Sequence, residues 1–180
     1  MPQNALDNPL VLPMLGLLAE RPCHQYALLS QLRVRYPVLR PKTSTVYTLV
    51  GSLQRAGLVE LADGERAEAR LTEAGFTELK RRVAHDLSET DPNADPRFLI
   101  ALAYLGALGP ERATALVRDR AQRLRADRRA LTRTLDRLDA PELHMIEAHF
   151  LAARLDHDAA WLRRLADRID RGELGWPDRA

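Results

Sequence analysis

Apolar positions along the 180-residue chain fall into blocks whose period changes several times. Residues 10–20 are apolar nearly all round, as in a buried first helix, and Arg21-Pro22-Cys23-His24 then breaks the run. In "HQYALLSQLRVRY" Tyr26, Leu29, Leu32 and Val34 recur near a helical period, up to "YPVLRP", whose two prolines disfavour helix. Thr43 or Ser44 is then placed to cap a third helix, with Val46, Leu49, Val50 and Leu53 as its buried stripe and Gly57 as its left-handed stop. From Leu58 the pattern turns extended. Two short runs, beginning at Leu58-Val59 and closing at Arg70-Leu71, flank the tight-turn pair Asp63-Gly64 and predict a two-stranded hairpin. Thr72 caps a fourth helix, in which Glu73 through Arg82 pass from acidic to basic as the helix dipole prefers.

The polar, proline-bearing stretch "SETDPNADP" sets an expected domain boundary, dividing residues 1–90 from residues 91–180. Beyond it "RFLIALAYLGAL" reads as a continuously apolar helix, and Gly109-Pro110 as a break and restart. Val117, Leu124, Leu131 and Leu138 then recur every seven residues, with Ala121 and Leu135 between them, a seam for a partner helix that Arg128 interrupts. A last long helix from Pro141 carries Leu143, Ile146, Phe150, Ala153, Leu155, Trp161, Leu162, Leu165 and Ile169, a stripe too wide for one neighbour. Two broad apolar faces with few elements to cover them predict a homodimer held by Val117, Leu124, Leu131, Leu138, Phe150, Leu155 and Leu162.

Composition agrees with a mainly α fold, since Leu, Ala and Arg dominate and aromatics are few. Cys23 is the only cysteine, which excludes an intramolecular disulfide and a cysteine-cluster zinc site and fits a reducing cytoplasm. The apolar run near the start has no basic region before it and spans about a dozen residues, too short to cross a bilayer and poorly built for export, so a cytoplasmic protein is expected. The net charge of +2 says little about partners; its distribution says more. Residues 21–57 hold Arg21, Arg33, Arg35, Arg40, Lys42 and Arg55 and no Asp or Glu, a local +6 around the third helix, whereas acids and bases alternate almost everywhere else.

Three helices followed by a two-stranded wing is the order of a winged helix-turn-helix, joined here to a C-terminal region of long helices. Thr43, Ser44 and Thr45 at the start of the third helix are more hydroxyls than capping needs. Short donors there can reach phosphates or base edges while the dipole attracts the DNA backbone. The expected division has Thr43, Ser44, Thr45 and Tyr47 at the groove, Arg40, Lys42 and Arg55 on phosphates, and Arg66 and Arg70 as weak wing contacts, although Tyr47 could equally pack beneath its helix. Catalytic readings fare poorly. The five histidines are scattered, "HMIEAH" spaces two of them by five rather than four, "HDLSETD" lacks triad geometry, and no glycine-rich phosphate loop occurs. No enzyme, metal or cofactor is expected.

The same residues resemble the PadR family of bacterial transcription regulators. Pro22, His24 and Tyr26 in "LPMLGLLAERPCHQYALLSQL" match its first two helices, with Gln25 where the family usually has glycine. Thr45, Tyr47, Leu53, Gly57, Leu58 and Val59 match its third-helix pattern, with Thr48 in place of proline and Gln54 in place of glutamate. Arg66, Leu71, Thr72 and Gly75 match its wing and the turn after it, with Ala67 in place of the wing lysine. The resemblance covers about residues 9–85 and continues more weakly into the last helices, where Trp161 is comparable to a family tryptophan. It implies a homodimeric repressor whose winged helices enter successive major grooves of a near-palindromic double-stranded operator, about 34 Å apart. It also implies control by a small planar apolar or phenolic effector, for which Tyr104, Phe150 and Trp161 are candidate pocket residues, core packing being the other job open to each. Glu65 and Glu68 add acidity to the wing, and residues 58–90 hold eight acids against five bases, so binding should lean on the third helix. Two other readings remain: a winged helix used as a protein-interaction module, and a helical ligand sensor without DNA binding.

Overall fold

The computed structural model describes residues 5–62, 68–138 and 140–177. Within it the chain forms two compact units, Met1–Ala107 and Leu108–Ala180.

The first unit is built on α1 (Val11–Glu20), whose residues are buried from Val11 to Leu18. A helix this apolar must be wrapped on several sides, and it packs on α2 (Gln25–Arg35), α4 (Glu73–Glu89), α5 (Arg97–Ala103) and a small sheet. The two-residue β1 (Cys23–His24) joins the expected hairpin of β2 (Val59–Leu61) and β3 (Glu68–Leu71) to give an antiparallel sheet of order β1-β3-β2. Cys23 lies opposite Ala69, and Val59 opposite Leu71. The "RPCH" break is therefore also a third strand, which two residues are too few to announce by alternation. The Asp63-Gly64 turn falls outside the described residues.

Helix 2 turns a different face inward from the one its spacing suggests. Leu28, Leu29 and Leu32 are buried, whereas Tyr26 and Val34 are 72% and 80% exposed. α3 (Thr43–Arg55) buries Val46, Leu49, Val50 and Leu53 as expected. Gly57 takes φ +71°, and the amides of Gly57 and Leu58 donate to the carbonyls of Gln54 and Leu53 at 2.9 Å each, closing the helix with a left-handed residue that glycine adopts freely. Thr72 then links two elements. Its hydroxyl donates to the Gly57 carbonyl at 2.7 Å and accepts from the Gly75 amide at 3.0 Å, capping α4 as expected.

The first unit runs past residue 90, where the sequence places its boundary. Phe98, Ile100 and Ala101 of α5 are buried, and α5 packs on α4 and α1, so the polar stretch at 88–96 is an internal connection of the unit. The apolar run of residues 97–108 is not one helix: α5 stops at Ala103, and a 3-10 turn follows at Leu105–Ala107. Tyr104, at the break, inserts its ring against Gly16, where a Cβ would collide with it, and its hydroxyl meets that of Tyr36 at 2.8 Å. Burial and this hydrogen bond hold the Tyr104 phenol well above its ordinary pKa.

The second unit is a helical pair, α6 (Pro110–Leu135) and α7 (Ile146–Asp170). On α6 Val117 and Leu124 are buried with Ala113 and Ala121; on α7 Ala148, Leu155, Leu162 and Ile169 recur every seven residues, with Ala159 and Ala166 between them. The ion pairs fix the direction. Arg118 meets Asp170 while Arg128 meets Asp156 at 2.9 Å, so α6 and α7 run antiparallel. Arg128, the interruption in the seam, is thus a cross-helix tie. α6 ends at Leu135, leaving the exposed Leu138 beyond it. Pro141 does not open α7 directly, because a 3-10 turn (Glu142–Met145) comes first. The indole N–H of Trp176 donates to the Leu108 carbonyl at 2.6 Å, tying the last described residues to the start of the unit.

Candidate nucleic-acid interface

The acid-free segment surrounds α3, and the turn before it sets how that helix starts. Pro37–Leu39 forms a 3-10 turn ending at Arg40, which holds φ +47°, the one described non-glycine residue with positive φ. The chain re-extends through Lys42, at φ −93° and ψ 145°, and becomes helical at Thr43.

Neither Thr43 nor Ser44 caps α3. The capping position belongs to Lys42, and among the described residues no side-chain cap is formed there. The hydroxyls begin one residue too late, inside the helix, so none of them takes the capping place ahead of the first-turn amides. Thr43 instead accepts from the Arg33 guanidinium at 3.2 Å, and Arg33 also donates to the Pro41 carbonyl at 3.4 Å. Arg33 thereby props the start of α3 from α2, a positioning role its place in a basic run did not reveal.

Successive helical residues are about 100° apart, so Thr43, Ser44 and Thr45 cannot all face the same way. Thr43 turns toward Arg33, Ser44 is exposed, and Thr45 is half-buried. Ser44, Thr45, Thr48 and Leu49 line a cavity of about 360 Å³ with Ala5, Asp7, Asn8 and Pro9 of the N-terminal turn. The outward face consists of Ser44, Thr48, Gly51 and Arg55, at spacings of four, three and four, with Tyr47 beside it at 44% exposure. Thr48 and Gly51 join this face by position, which the helical period gives when it is applied to exposed as well as buried residues.

The cations are not equivalent. Arg35 is chelated by both carboxylate oxygens of Glu20, at 2.8 and 2.7 Å, and lies over the Tyr36 and Tyr104 rings at 5.8 and 5.9 Å. Its charge is spent on the fold, which reduces the +6 of the sequence by one. Among the described residues Arg40, Lys42 and Arg55 have no acid within ion-pair distance. Arg55 lies along its own helix, donating to the Gly51 carbonyl at 3.2 Å and to the Ser52 hydroxyl at 3.0 Å. On the wing, Arg70 lies opposite Glu60 in the ladder and 4.0 Å from Glu68, so its charge is locally offset. Arg66 lies outside the described residues.

The remaining candidates are dispersed. Tyr104 is a core residue of the first unit, while Phe150 and Trp161 are exposed on α7 in the second. Val117, Leu124, Leu155 and Leu162 are buried within the helical pair, Leu131 is half-buried, and Leu138 and Phe150 are exposed. Among the described residues no group of three His, Cys, Asp or Glu could hold a metal ion, and no helix is long and apolar enough to cross a membrane.

Residues 14–81 match the model of the transcriptional regulator PadR-like family. Among solved structures the chain is similar to Bacillus subtilis PadR in complex with operator DNA, at 19% identity over 89% of this chain and 99% of that one, with a TM-score of 0.39. The same protein in complex with p-coumaric acid gives 19% identity, coverage of 90% and 99%, and a TM-score of 0.39. A PadR-like transcriptional regulator from Bacillus cereus gives 14% identity, coverage of 90% and 98%, and a TM-score of 0.40. No match was found among curated proteins. The matched residues 14–81 take in the motifs of the first three helices and the wing.

Proposed function

We infer from the PadR-like segment that this chain is a homodimeric, DNA-binding transcription regulator of the cytoplasm, acting as a repressor without catalytic activity. One observation carries the reading: the outward side of α3 is flanked by Arg40, Lys42 and Arg55, free of acid partners among the described residues, inside a span of the chain that has no Asp or Glu. α3 enters the major groove of a near-palindromic operator. Ser44, Thr48 and Tyr47 face the base edges, and Arg40, Lys42 and Arg55 the phosphates. The wing contributes little, since Arg70 is offset by Glu60 and Glu68.

Titration of the full chain with a mixed-sequence duplex at two salt concentrations tests this reading. Affinity should fall by roughly forty-fold to two-thousand-fold between 50 and 200 mM salt for about three to six phosphate contacts. Absence of binding at the lower salt would remove the regulator reading and leave the protein-interaction module or the DNA-free ligand sensor.

The helical pair supports the homodimer reading. With one apolar face of α7 buried on α6, Ile146, Phe150 and Trp161 remain exposed on the other side, and a second copy is the occupant that places two reading helices on one operator. A small planar effector would act by binding better to a dimer geometry that does not fit the operator. Of the three candidates for such a role, Phe150 and Trp161 are exposed, whereas Tyr104 is committed to the core.

A further inference from the structure

We propose that Gly51 is the point of closest approach of α3 to the base edges, and that its missing side chain sets how deep the helix sits. The proposal rests on the DNA-binding reading above. Gly51 stands in the third turn of the thirteen-residue α3, away from both ends, where glycine weakens a helix relative to alanine. Nothing among the described residues requires it. Positive φ among the described residues occurs at Arg40, Gly57 and Gly172, so Gly51 has ordinary helical backbone that any residue adopts. A Cβ built on it meets no heavy atom of the described residues within 4 Å, whereas one on Gly16 would strike the Tyr104 ring. Nor is the space kept for Arg55, whose guanidinium bonds to the Gly51 carbonyl yet lies beyond 4 Å of that Cβ.

The helix therefore carries, on its outward face, a weakening residue with no packing use among the described residues. Flanked by the short Thr48 and bordered by Tyr47, position 51 is where the backbone can come closest to a surface pressed against the helix. Adding a methyl group would hold the helix axis away from the groove floor and lengthen the hydrogen bonds made by Ser44 and Thr48 to base edges. Flexible phosphate contacts from Lys42 and Arg40 tolerate that shift better, so sequence discrimination should suffer more than general affinity.

The experiment compares the full-length protein with Gly51→Ala and Gly51→Leu. Each is measured against a mixed-sequence duplex pool and against the duplex the unaltered protein selects from that pool. Both variants should melt roughly 2–4 °C higher, because the helix gains propensity and open space accepts the side chain. Affinity for the selected duplex should fall about ten-fold for alanine and at least a hundred-fold for leucine, while affinity for the pool changes by less than about three-fold. If the unaltered protein selects a sequence and both variants hold it equally well, the role of Gly51 is overturned and the DNA-binding reading stands. If the unaltered protein binds no duplex, both fall together.

Discussion

Arg40 holds a left-handed backbone conformation at the entrance to α3, φ +47°, where an L side chain costs about 1–2 kcal/mol. Glycine adopts that conformation freely, so a glycine at 40 would be the relaxed choice. Arg40→Gly should stabilise the first unit by about 0.5–1 kcal/mol in denaturant unfolding, the relief being reduced by the greater freedom of glycine in the unfolded chain. If the arginine faces a phosphate, the same change should lower the slope of log affinity against log salt by about 1 for every sequence alike. A variant with an unaltered slope would show that Arg40 serves the turn alone. Position 40 was legible in the sequence as a cation but not as a strained one, because strain arises from the path between α2 and α3. Thr43 to Thr45 were legible as hydroxyls at the helix start, but their separate destinations depend on where the helix begins, and one residue of displacement moves each by about 100°.

Elements were most legible where a chemical stop marks them. Gly57 ends α3 as its place in the sequence suggests, and Gly57→Ala should cost about 1 kcal/mol or more, read as a lower denaturant midpoint at constant slope; an unchanged midpoint would mean that the turn relaxes freely. Thr72 likewise marks α4 by capping it. The two-residue β1 and the break at Tyr104 were not legible, since one is too short for a period and the other depends on a hydroxyl partner 68 residues away. Within α4, Glu78 accepts from both Arg81 and Arg82 at 2.7 Å, and hydrogen bonding to Arg81 leads the effects that hold its carboxyl below the ordinary 4.5. A carboxyl depressed in the fold adds stability that is present above its unfolded value and is lost as pH falls through the lower folded one. Glu78→Gln should therefore leave a protein whose stability declines less steeply from about pH 4.5 downward. Parallel pH profiles for the two proteins would show that the fork contributes nothing.

At the scale of the whole molecule, the seam repeating every seven residues is a real packing surface, but the chain supplies its own partner helix. Val117 and Leu124 are buried within the α6–α7 pair, and Leu155 and Leu162 face the same core. Periodicity shows that a face is apolar and cannot say whose helix covers it. The side of α7 open to the proposed second copy is the opposite one, where Ile146, Phe150 and Trp161 are 54%, 71% and 44% exposed. Phe150→Asp, alone or with Ile146→Asp, should halve the mass in sedimentation and leave helix content unchanged, because both side chains lie outside the core of the pair. Leu162→Asp, by contrast, buries a charge between α6 and α7 and should unfold the unit. The monomer should retain its salt-dependent affinity for a single half-site and lose at least about a hundred-fold on a duplex carrying two, since the second contact is no longer tethered to the first. Should the double variant remain dimeric, the outer face of α7 is not the interface. The half-buried Leu131 and the exposed Leu138, at the far end of the seam, would then be the apolar surface to test next.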